Sequence, residues 1–269
     1  MNLSTPLVMG IINITPDSFY DGNKFKTTWD VLKHAEMLLD QGAHILDIGA
    51  ASTRPGARLI TTAEETEKLK PVIQGIIKRF PETIISIDTY NSQTAIMAIG
   101  EGAGMINDVS AGQIDPEMFT VIALLKSPYV LTHMQGTPEN MQHNPAYQDI
   151  TKEVALFFTK KINTLNQLGV HDIIIDPGFG FGKTLEDNYR LLNQLDFFRI
   201  LNLPLMVGIS RKSMVYKIVG SGPEGALNGT TSAHTLALLK GAGILRVHDV
   251  REAFEALKIV EMYKNQSQN

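Results

Sequence analysis

The segment from Ile45 to Gly56 concentrates residues that are suited to binding an anion. It reads I-L-D-I-G-A-A-S-T-R-P-G, an apolar run around Asp47 that opens into a polar loop. The loop offers the hydroxyls of Ser52 and Thr53 and the guanidinium of Arg54. Small hydroxyls and an arginine fork match the oxygens of a phosphate group. Taken alone, this stretch is equally compatible with an ordinary turn, so the rest of the chain must decide.

Further polar residues stand where other apolar runs end, and one group of them suits a flat heterocycle. A buried carboxylate can accept two N–H groups from an amino-pyrimidinone edge, and an asparagine supplies both a donor and an acceptor. A lysine can donate to a ring carbonyl or a ring nitrogen. Such a site discriminates strongly, because the wrong ligand leaves buried polar groups unpaired. The residues of this ring-recognition group are Asp88, Asn107, Asp176 and Lys212.

A second group of residues suits a diphosphate. Its hydroxyl, guanidinium and imidazole groups would balance the negative charge of such a tail. We expect a Mg2+ ion beside it, because Mg2+ prefers oxygen ligands and keeps several waters, so that one asparagine oxygen can be its main protein ligand. The residues of this anion group are Asn13, Ser52, Thr53, Arg54, Arg246 and His248.

The stretch from Pro177 to Thr184, P-G-F-G-F-G-K-T, ends like a phosphate-binding P-loop. That motif requires a glycine five places before Gly182, where this chain has Pro177. The G-x-G-x-x-G spacing is also missing, since Lys183 takes the final position. We therefore predict a close-packed loop that lets Phe181 reach a ligand, with glycines where a side chain would obstruct.

These residues must be positioned by a regular alternation of short β-rich runs and longer helical patterns. Eight strands, each followed by a helix, give roughly 34 residues per unit, which is typical of a barrel. Because no linker or change in composition divides the chain, the sequence predicts an α/β fold, a TIM (β/α)8 barrel in a single domain over residues 1–269. A doubly wound open sheet is the alternative. In a barrel the strand C-termini converge on one face, which would bring both groups of residues together.

Local signals also predict where individual helices begin and end. Thr28 is expected to cap the first helix, with Gly42 past its end. Asp115 is expected to cap a helix that has Pro116 at its first position. A helical region is predicted over residues 212–239, interrupted at residues 220–223.

Composition excludes several other classes of protein. Hydrophobic residues make up 43% of the chain and charged residues 19%, so the chain can bury a large core. A net charge of −4 argues against nucleic acid as the main partner. The chain has no cysteine, which excludes disulfides and thiolate metal sites, and its seven histidines form no H-E-x-x-H zinc motif. Without a signal-peptide pattern or an apolar run long enough to cross a bilayer, we expect a cytoplasmic protein with no membrane partner.

Eight motifs that span nearly the whole chain resemble those of the dihydropteroate synthase family, the folate-pathway enzymes that sulfonamides inhibit. One such motif would be weak support, but eight in the family's order are highly specific. In chain order they are G-I-I-N-I-T-P-D-S-F at 10–19, D-I-G-A-A-S-T-R-P-G-A at 47–57, S-I-D-T-Y at 86–90, I-N-D-V-S-A-G at 106–112, H-M-Q-G-T-P at 133–138, D-P-G-F-G-F-G-K-T at 176–184, V-G-I-S-R-K-S at 207–213 and R-V-H-D-V at 246–250.

The resemblance implies a homodimeric, Mg2+-dependent barrel that condenses 6-hydroxymethyl-7,8-dihydropterin diphosphate with p-aminobenzoate, giving 7,8-dihydropteroate and diphosphate. It implies that the pterin is held by Asp88, Asn107, Asp176 and Lys212, beside Met134 and Phe181. The diphosphate would be bound by Asn13, Thr53, Arg54, Arg246 and His248, with Asn13 as the Mg2+ ligand. The p-aminobenzoate subsite would be bordered by Phe19, Thr53, Pro55 and Ser213.

The implied reaction needs no protein nucleophile. Departure of diphosphate leaves a cation on the pterin methylene, which the aniline nitrogen attacks. Asp47 and Asp88 would favour the positive charge, while Mg2+, Arg54, Arg246 and His248 would stabilise the leaving anion by electrostatics. The catalytic residues are thus expected to be Asp47, Asp88, Lys212, Arg246 and His248.

One departure from the family and two rival functions remain at this point. Ala50-Ala51 stands where the family usually has Gly-Glu, which removes an expected carboxylate next to the loop at residues 51–59. We expect that loop, and the one at residues 15–26, to be mobile when empty and to close over the diphosphate. The alternatives are a methyltetrahydrofolate-dependent corrinoid methyltransferase, which needs no diphosphate clamp, and a non-catalytic folate-binding barrel.

Overall fold

The strands of the chain assemble into one eight-stranded parallel sheet in which every neighbouring pair is parallel. The computed structural model describes residues 5–14, 27–51, 60–136, 141 and 145–266. The strands are β1 Leu7–Asn13, β2 Ile45–Gly49, β3 Ile84–Asp88, β4 Met105–Asp108, β5 Tyr129–Thr132, β6 Ile173–Asp176, β7 Met206–Val207 and β8 Ile244–Val247. The helices are α1 Thr28–Asp40, α2 Thr62–Arg79, α3 Ser92–Gly100, α4 Met118–Leu125, α5 Ile150–Gln167, α6 Leu185–Asn193, α7 Ser213–Tyr216, α8 Leu227–Leu239 and α9 Val250–Asn265.

The sheet closes on itself, which confirms the predicted (β/α)8 barrel. The strand order is β6-β5-β4-β3-β2-β1-β8-β7, so consecutive strands are neighbours all the way around. The remaining gap, between β6 and β7, is bridged where Ile175 pairs with Leu205 and the Ile175 N–H donates to the Pro204 carbonyl at 2.9 Å. A closed parallel barrel with helices outside brings all strand C-termini to one end.

Alternation along the strands explains why polar groups face the barrel axis at that end. Inward-facing residues recur every second position along a strand. An apolar layer inside the barrel is formed by Leu7, Met9, Ile45, Met105, Val130, Ile174, Met206 and Ile244. Two residues further along five of these strands stand Asp47, Asn107, Thr132, Asp176 and Arg246. The apolar layer therefore closes the barrel from below, and the polar residues form the floor of its mouth.

Two predicted helix starts are wrong. The first helix is capped by Thr27, not Thr28, because Thr27 and Asp30 form a capping box, in which the Asp30 N–H donates to Thr27 Oγ1 at 3.2 Å. α4 begins at Met118 rather than Pro116. The Asp115 carboxylate instead bridges two elements, since it accepts the N–H of Ser92, the first residue of α3, at 2.8 Å and that of Glu117, just before α4, at 3.0 Å.

The predicted interruption of the helical region at residues 212–239 is confirmed and is longer than expected. α7 covers only Ser213–Tyr216, and α8 begins at Leu227 after a short 3-10 turn at Pro223–Ala226. Within the described residues, no helix has both the length and the apolar character that are needed to cross a membrane.

Candidate active site

Two carboxylates and one guanidinium meet at the mouth of the barrel. Asp47, on β2, is fully buried, and Asp88, at the end of β3, is 8% exposed. Arg246, on β8, donates from Nε to Asp47 Oδ2 at 2.6 Å and from Nη2 to Asp88 Oδ2 at 2.7 Å. These residues are far apart in sequence, and barrel closure alone brings them together. The three side chains carry a net charge of −1 when both acids are ionised.

Asn107 extends this cluster onto β4 and leaves acceptors open. Its Nδ2 donates to Asp47 Oδ2 at 3.1 Å. Asp47 Oδ1 and Asn107 Oδ1 are both buried and have no hydrogen-bond partner among the described residues. A buried acceptor without a donor costs free energy, so such atoms are normally satisfied. A ligand that brings N–H groups to the mouth would satisfy both oxygens.

Asp176 and Lys212 form the opposite part of the mouth. Asp176 ends β6, and its Oδ1 accepts the N–H of Gly178 at 2.8 Å. Lys212, in the loop after β7, donates to the Phe179 carbonyl, and its Nζ lies 4.3 Å from the centre of the Phe181 ring. An ammonium over an aromatic face is attracted to the ring electrons. The loop after β6 thus holds the side chain of Lys212.

Burial and crowding of charge shift the pKa values of these groups. Burial raises the pKa of Asp88 to about 7, and although Arg246 opposes this rise, Asp47 adds to it. Burial also raises the pKa of Asp176, against the opposing charge of Lys212. Burial lowers the pKa of Lys212 to about 8. Groups that titrate near neutrality in a concave site are typical of a catalytic or binding centre.

Arg246 lies within the ring-recognition group, although the sequence assigned it to the anion group. Its two ion pairs are with Asp47 and Asp88. Burial opposes the charge of Arg246, but these two carboxylates outweigh it and raise the pKa of the guanidinium. The assignment of Arg246 to the diphosphate stays a prediction, and the structure adds a second role, which is to balance the charge of the carboxylates.

His248 lies two residues beyond Arg246 and is held by the neighbouring loop. Its Nδ1 lies 3.2 Å from Ser210 Oγ, and its backbone N–H donates to the same hydroxyl at 3.1 Å. The loops after β7 and β8 are therefore joined directly. His248 and Lys212 therefore lie on two loops that are hydrogen-bonded to each other. His248 is expected to bind phosphate and Lys212 to bind the ring.

The remaining predicted site residues fall into two sets. Three lie at the same end of the barrel: Asn13 ends β1 and pairs with Gly49, Met134 is buried just after β5, and Ser213 begins α7. The others lie outside the described residues, as do the two loops that are expected to be mobile, apart from Ala51. These others are Phe19, Ser52, Thr53, Arg54 and Pro55.

The structure also brings two residues to the site that the sequence did not single out. Lys183 is 4% exposed and donates to backbone carbonyls of the loop that carries Phe181. Glu65 is fully buried behind β3. Its Oε2 accepts a hydrogen bond from the hydroxyl of Thr89, the residue after Asp88, at 3.0 Å. Both are charged residue types that are rarely buried, and neither has a local sequence pattern that marks it as buried.

Close packing of the loop after β6 explains why it contains glycines. An added Cβ at Gly178 would lie 1.9 Å from the His133 carbonyl oxygen, and one at Gly182 would lie 2.5 Å from the Gln135 carbonyl oxygen. Both glycines also have positive φ, which other residues rarely adopt. This confirms the prediction of a close-packed loop with glycines where a side chain would obstruct.

Comparisons with known proteins agree with this geometry. The family model described as "Pterin binding enzyme" matches residues 9–248. The dihydropteroate synthase of Escherichia coli is 41% identical, and the alignment covers 100% of this chain and 95% of the relative. A structure of the Yersinia pestis dihydropteroate synthase with a sulfonamide drug has a TM-score of 0.96 and 40% identity, covering 98% of this chain and 96% of that one.

A further solved structure carries the product of the reaction. The Xanthomonas albilineans dihydropteroate synthase in complex with 7,8-dihydropteroate has a TM-score of 0.87 and 36% identity, covering 98% of this chain and 95% of that one. The family model and these full-length relatives agree with the eight motifs and with the closed barrel. The chain therefore belongs to the family of pterin binding enzymes and, within it, to the dihydropteroate synthases.

Proposed function

We infer that this chain condenses 6-hydroxymethyl-7,8-dihydropterin diphosphate with p-aminobenzoate to give 7,8-dihydropteroate and diphosphate. The observation that carries this inference is the group of buried acceptors at the mouth. Asp47 Oδ1 and Asn107 Oδ1 lack donors within the described residues, beside Asp88 and Asp176. The edge of a pterin ring presents amino and ring N–H groups, which are the donors that this arrangement lacks.

The charges at the mouth suit the bond that breaks. The C–O bond between the pterin methylene and the diphosphate breaks with its electron pair on the diphosphate. The aniline nitrogen of p-aminobenzoate then forms the C–N bond and loses a proton to solvent. A net negative charge from Asp47, Asp88 and Arg246 favours positive charge on the methylene, which is electrostatic stabilisation rather than nucleophilic catalysis.

The anion group would receive the leaving diphosphate. His248 lies on the loop after β8, and Ser210 fixes its imidazole. We propose that Mg2+ binds here through the amide oxygen of Asn13, with substrate oxygens and water as its other ligands. An amide oxygen fits this hard cation, and the described residues contain no cluster of three or more acidic or histidine side chains that would form a cage made only of protein. When bound, the ion would neutralise charge on the diphosphate.

The reaction itself tests the proposed function. Purified protein with both substrates and Mg2+ should release diphosphate and form 7,8-dihydropteroate in equal amounts, and a chelator should suppress both. Omission of p-aminobenzoate should abolish the pterin product, and Lys212→Ala should lose activity through weakened pterin binding. A folded wild-type protein that forms no dihydropteroate would contradict the proposal. The comparisons give no support to the methyltransferase or to a non-catalytic barrel.

We further propose that the protein is a homodimer, while a cytoplasmic location stays a prediction. Support for a dimer comes from apolar side chains that are more than half exposed on the adjacent helices α8 and α9, namely Leu236, Ile259, Met262 and Tyr263. Exposed apolar groups of this density are typical of an interaction surface. Light scattering of the eluting protein should give twice the mass of one chain, and a monomeric mass would contradict the proposal.

A further inference from the structure

Lys183 is a buried amine to which the reaction assigns no role. Its side chain is 4% exposed. Its Nζ lies 2.8 Å from the Gly178 carbonyl oxygen, 3.0 Å from that of Phe181 and 3.3 Å from that of His133. The same nitrogen lies 3.0 Å from His133 Nδ1. Lysine is almost never buried unless its donors are paired, so this set of acceptors accounts for its presence.

The acceptors of Lys183 belong to two chain segments, which are also joined where the His133 N–H donates to the Asp176 carbonyl at 2.9 Å. His133 follows β5, whereas Gly178 and Phe181 belong to the loop after β6. The segments touch so closely that a Cβ at Gly178 would collide with the His133 carbonyl oxygen. Three carbonyl oxygens gathered in a buried place need donors, because an unpaired buried carbonyl is costly. Lys183 donates to all three from a single nitrogen, and the Gly178 carbonyl also accepts the Phe181 N–H at 3.1 Å.

The loop that Lys183 organises carries groups of the ring-recognition site. The Gly178 N–H donates to Asp176, the Phe179 carbonyl accepts from Lys212, and the Phe181 ring lies against the Lys212 ammonium. Two residues whose carbonyls bind Lys183, Gly178 and Phe181, are thus the same residues that contact Asp176 and Lys212. Displacement of this loop would therefore disturb both Asp176 and Lys212.

We propose that Lys183 is a positioning residue that sets the affinity for the pterin ring without touching it, by clamping the loop after β6 to the end of β5. This inference rests on the proposed function. The electrostatic setting agrees with it. Burial lowers the pKa of Lys183 to about 7, Asp176 and Asp187 oppose this shift, and the charge of Lys212 adds to it. Such a desolvated amine is retained where its hydrogen bonds hold structure in place.

The test replaces Lys183 with methionine, which keeps an unbranched stem and removes every donor. We expect the Kd and the KM of pterin diphosphate to rise at least about tenfold, while the KM of p-aminobenzoate at saturating pterin changes less than about twofold. Lys183→Gln, which keeps an N–H donor group on a shorter stem, should recover part of the loss. If the methionine variant does not fold, the glutamine variant carries the same comparison.

Lys161→Met is the matched control. Lys161 is a partly buried lysine that, like Lys183, donates to a backbone carbonyl, in this case that of Ala111, at 2.9 Å. Its contacts lie on α4, α5 and the loop after β4, not on the loop after β6. Lys161→Met should lower the melting temperature and leave the KM of pterin diphosphate unchanged.

Two outcomes would overturn the proposal. One is a folded Lys183 variant whose pterin affinity stays within about threefold of wild type. The other is an equal rise in the KM of both substrates, which would indicate a general structural role. Failure of the proposed function would look different, because the wild-type protein itself would then fail to bind pterin diphosphate.

Discussion

Replacement of Asp88 by asparagine should change how stability depends on pH. In the folded protein, burial and the neighbouring Asp47 raise the pKa of Asp88 to about 7, against the opposing charge of Arg246, whereas the ordinary value is 3.8. The folded state therefore holds this proton more tightly than the unfolded chain. The resulting contribution to stability is complete below the unfolded pKa and is lost as the pH rises through the folded pKa.

The size of the effect follows from the two pKa values. For a carboxyl with these values, linkage gives a loss of roughly 2.6 kcal/mol in the free energy of unfolding between about pH 5 and about pH 8. Asp88→Asn has no proton to exchange, so its stability should gain about this amount relative to wild type over the same interval. The absolute stability of the variant also includes the lost ion pair with Arg246. That loss does not alter the expected direction in which the stability difference between variant and wild type changes as the pH rises.

Urea unfolding of both proteins at several pH values measures the difference directly. Asp196→Asn is the matched control, because Asp196 is exposed and its ion pair with Lys240 lies at the surface, where such pairs contribute little. Parallel pH profiles for wild type and Asp88→Asn would refute the reasoning. A wild type that gains stability over the variant as the pH rises would show instead that the ion pair with Arg246 outweighs burial.

Three further substitutions test the packing around the mouth. Arg246→Met should lower the free energy of unfolding by about 3 to 5 kcal/mol at neutral pH, because it leaves two buried carboxylates unpaired, and urea unfolding with unchanged stability would contradict this. Gly178→Ala should prevent pterin binding in calorimetry, since its Cβ would overlap the His133 carbonyl, and normal binding would show that the loop can move. Thr184→Ala should cost about 1 kcal/mol in thermal unfolding by removing the capping box of α6, and an unchanged melting temperature would contradict that role.

The barrel could be predicted because its signal is repeated in every unit. Each apolar run is followed by a helical pattern, and residues such as Asp47 and Asp176 stand at the ends of these runs. Parallel strands in a closed barrel must deliver those ends to one face. The meeting of these strand ends at one face therefore followed from local patterns together with one rule of topology.

Partners across the barrel could not be predicted in the same way. Arg246 is separated from Asp47 by 199 positions, and nothing near either residue shows that the guanidinium lies between two carboxylates rather than on a phosphate. Lys183 follows a glycine-rich run that looks like part of a phosphate loop, but its burial depends on packing against His133, in the segment after β5. Asp115 has the type and position of a helix cap, yet its carboxylate also accepts the N–H of Ser92 at the start of the preceding helix. In each case the deciding contact is distant in sequence.

The two halves of the mouth are joined by a buried ion pair between adjacent loops. Arg211 precedes Lys212, Asp249 follows His248, and the Arg211 guanidinium donates to both carboxylate oxygens of Asp249 at 2.8 Å. Arg211 has a φ of 54°, a left-handed conformation that costs about 1 to 3 kcal/mol and persists only where the surroundings enforce it. A bidentate charge-assisted pair is strong enough to do so. Since the strained residue directly precedes Lys212, the pair ties the position of the ammonium that is proposed to bind the ring to that of the His248 imidazole, which is proposed to bind the diphosphate.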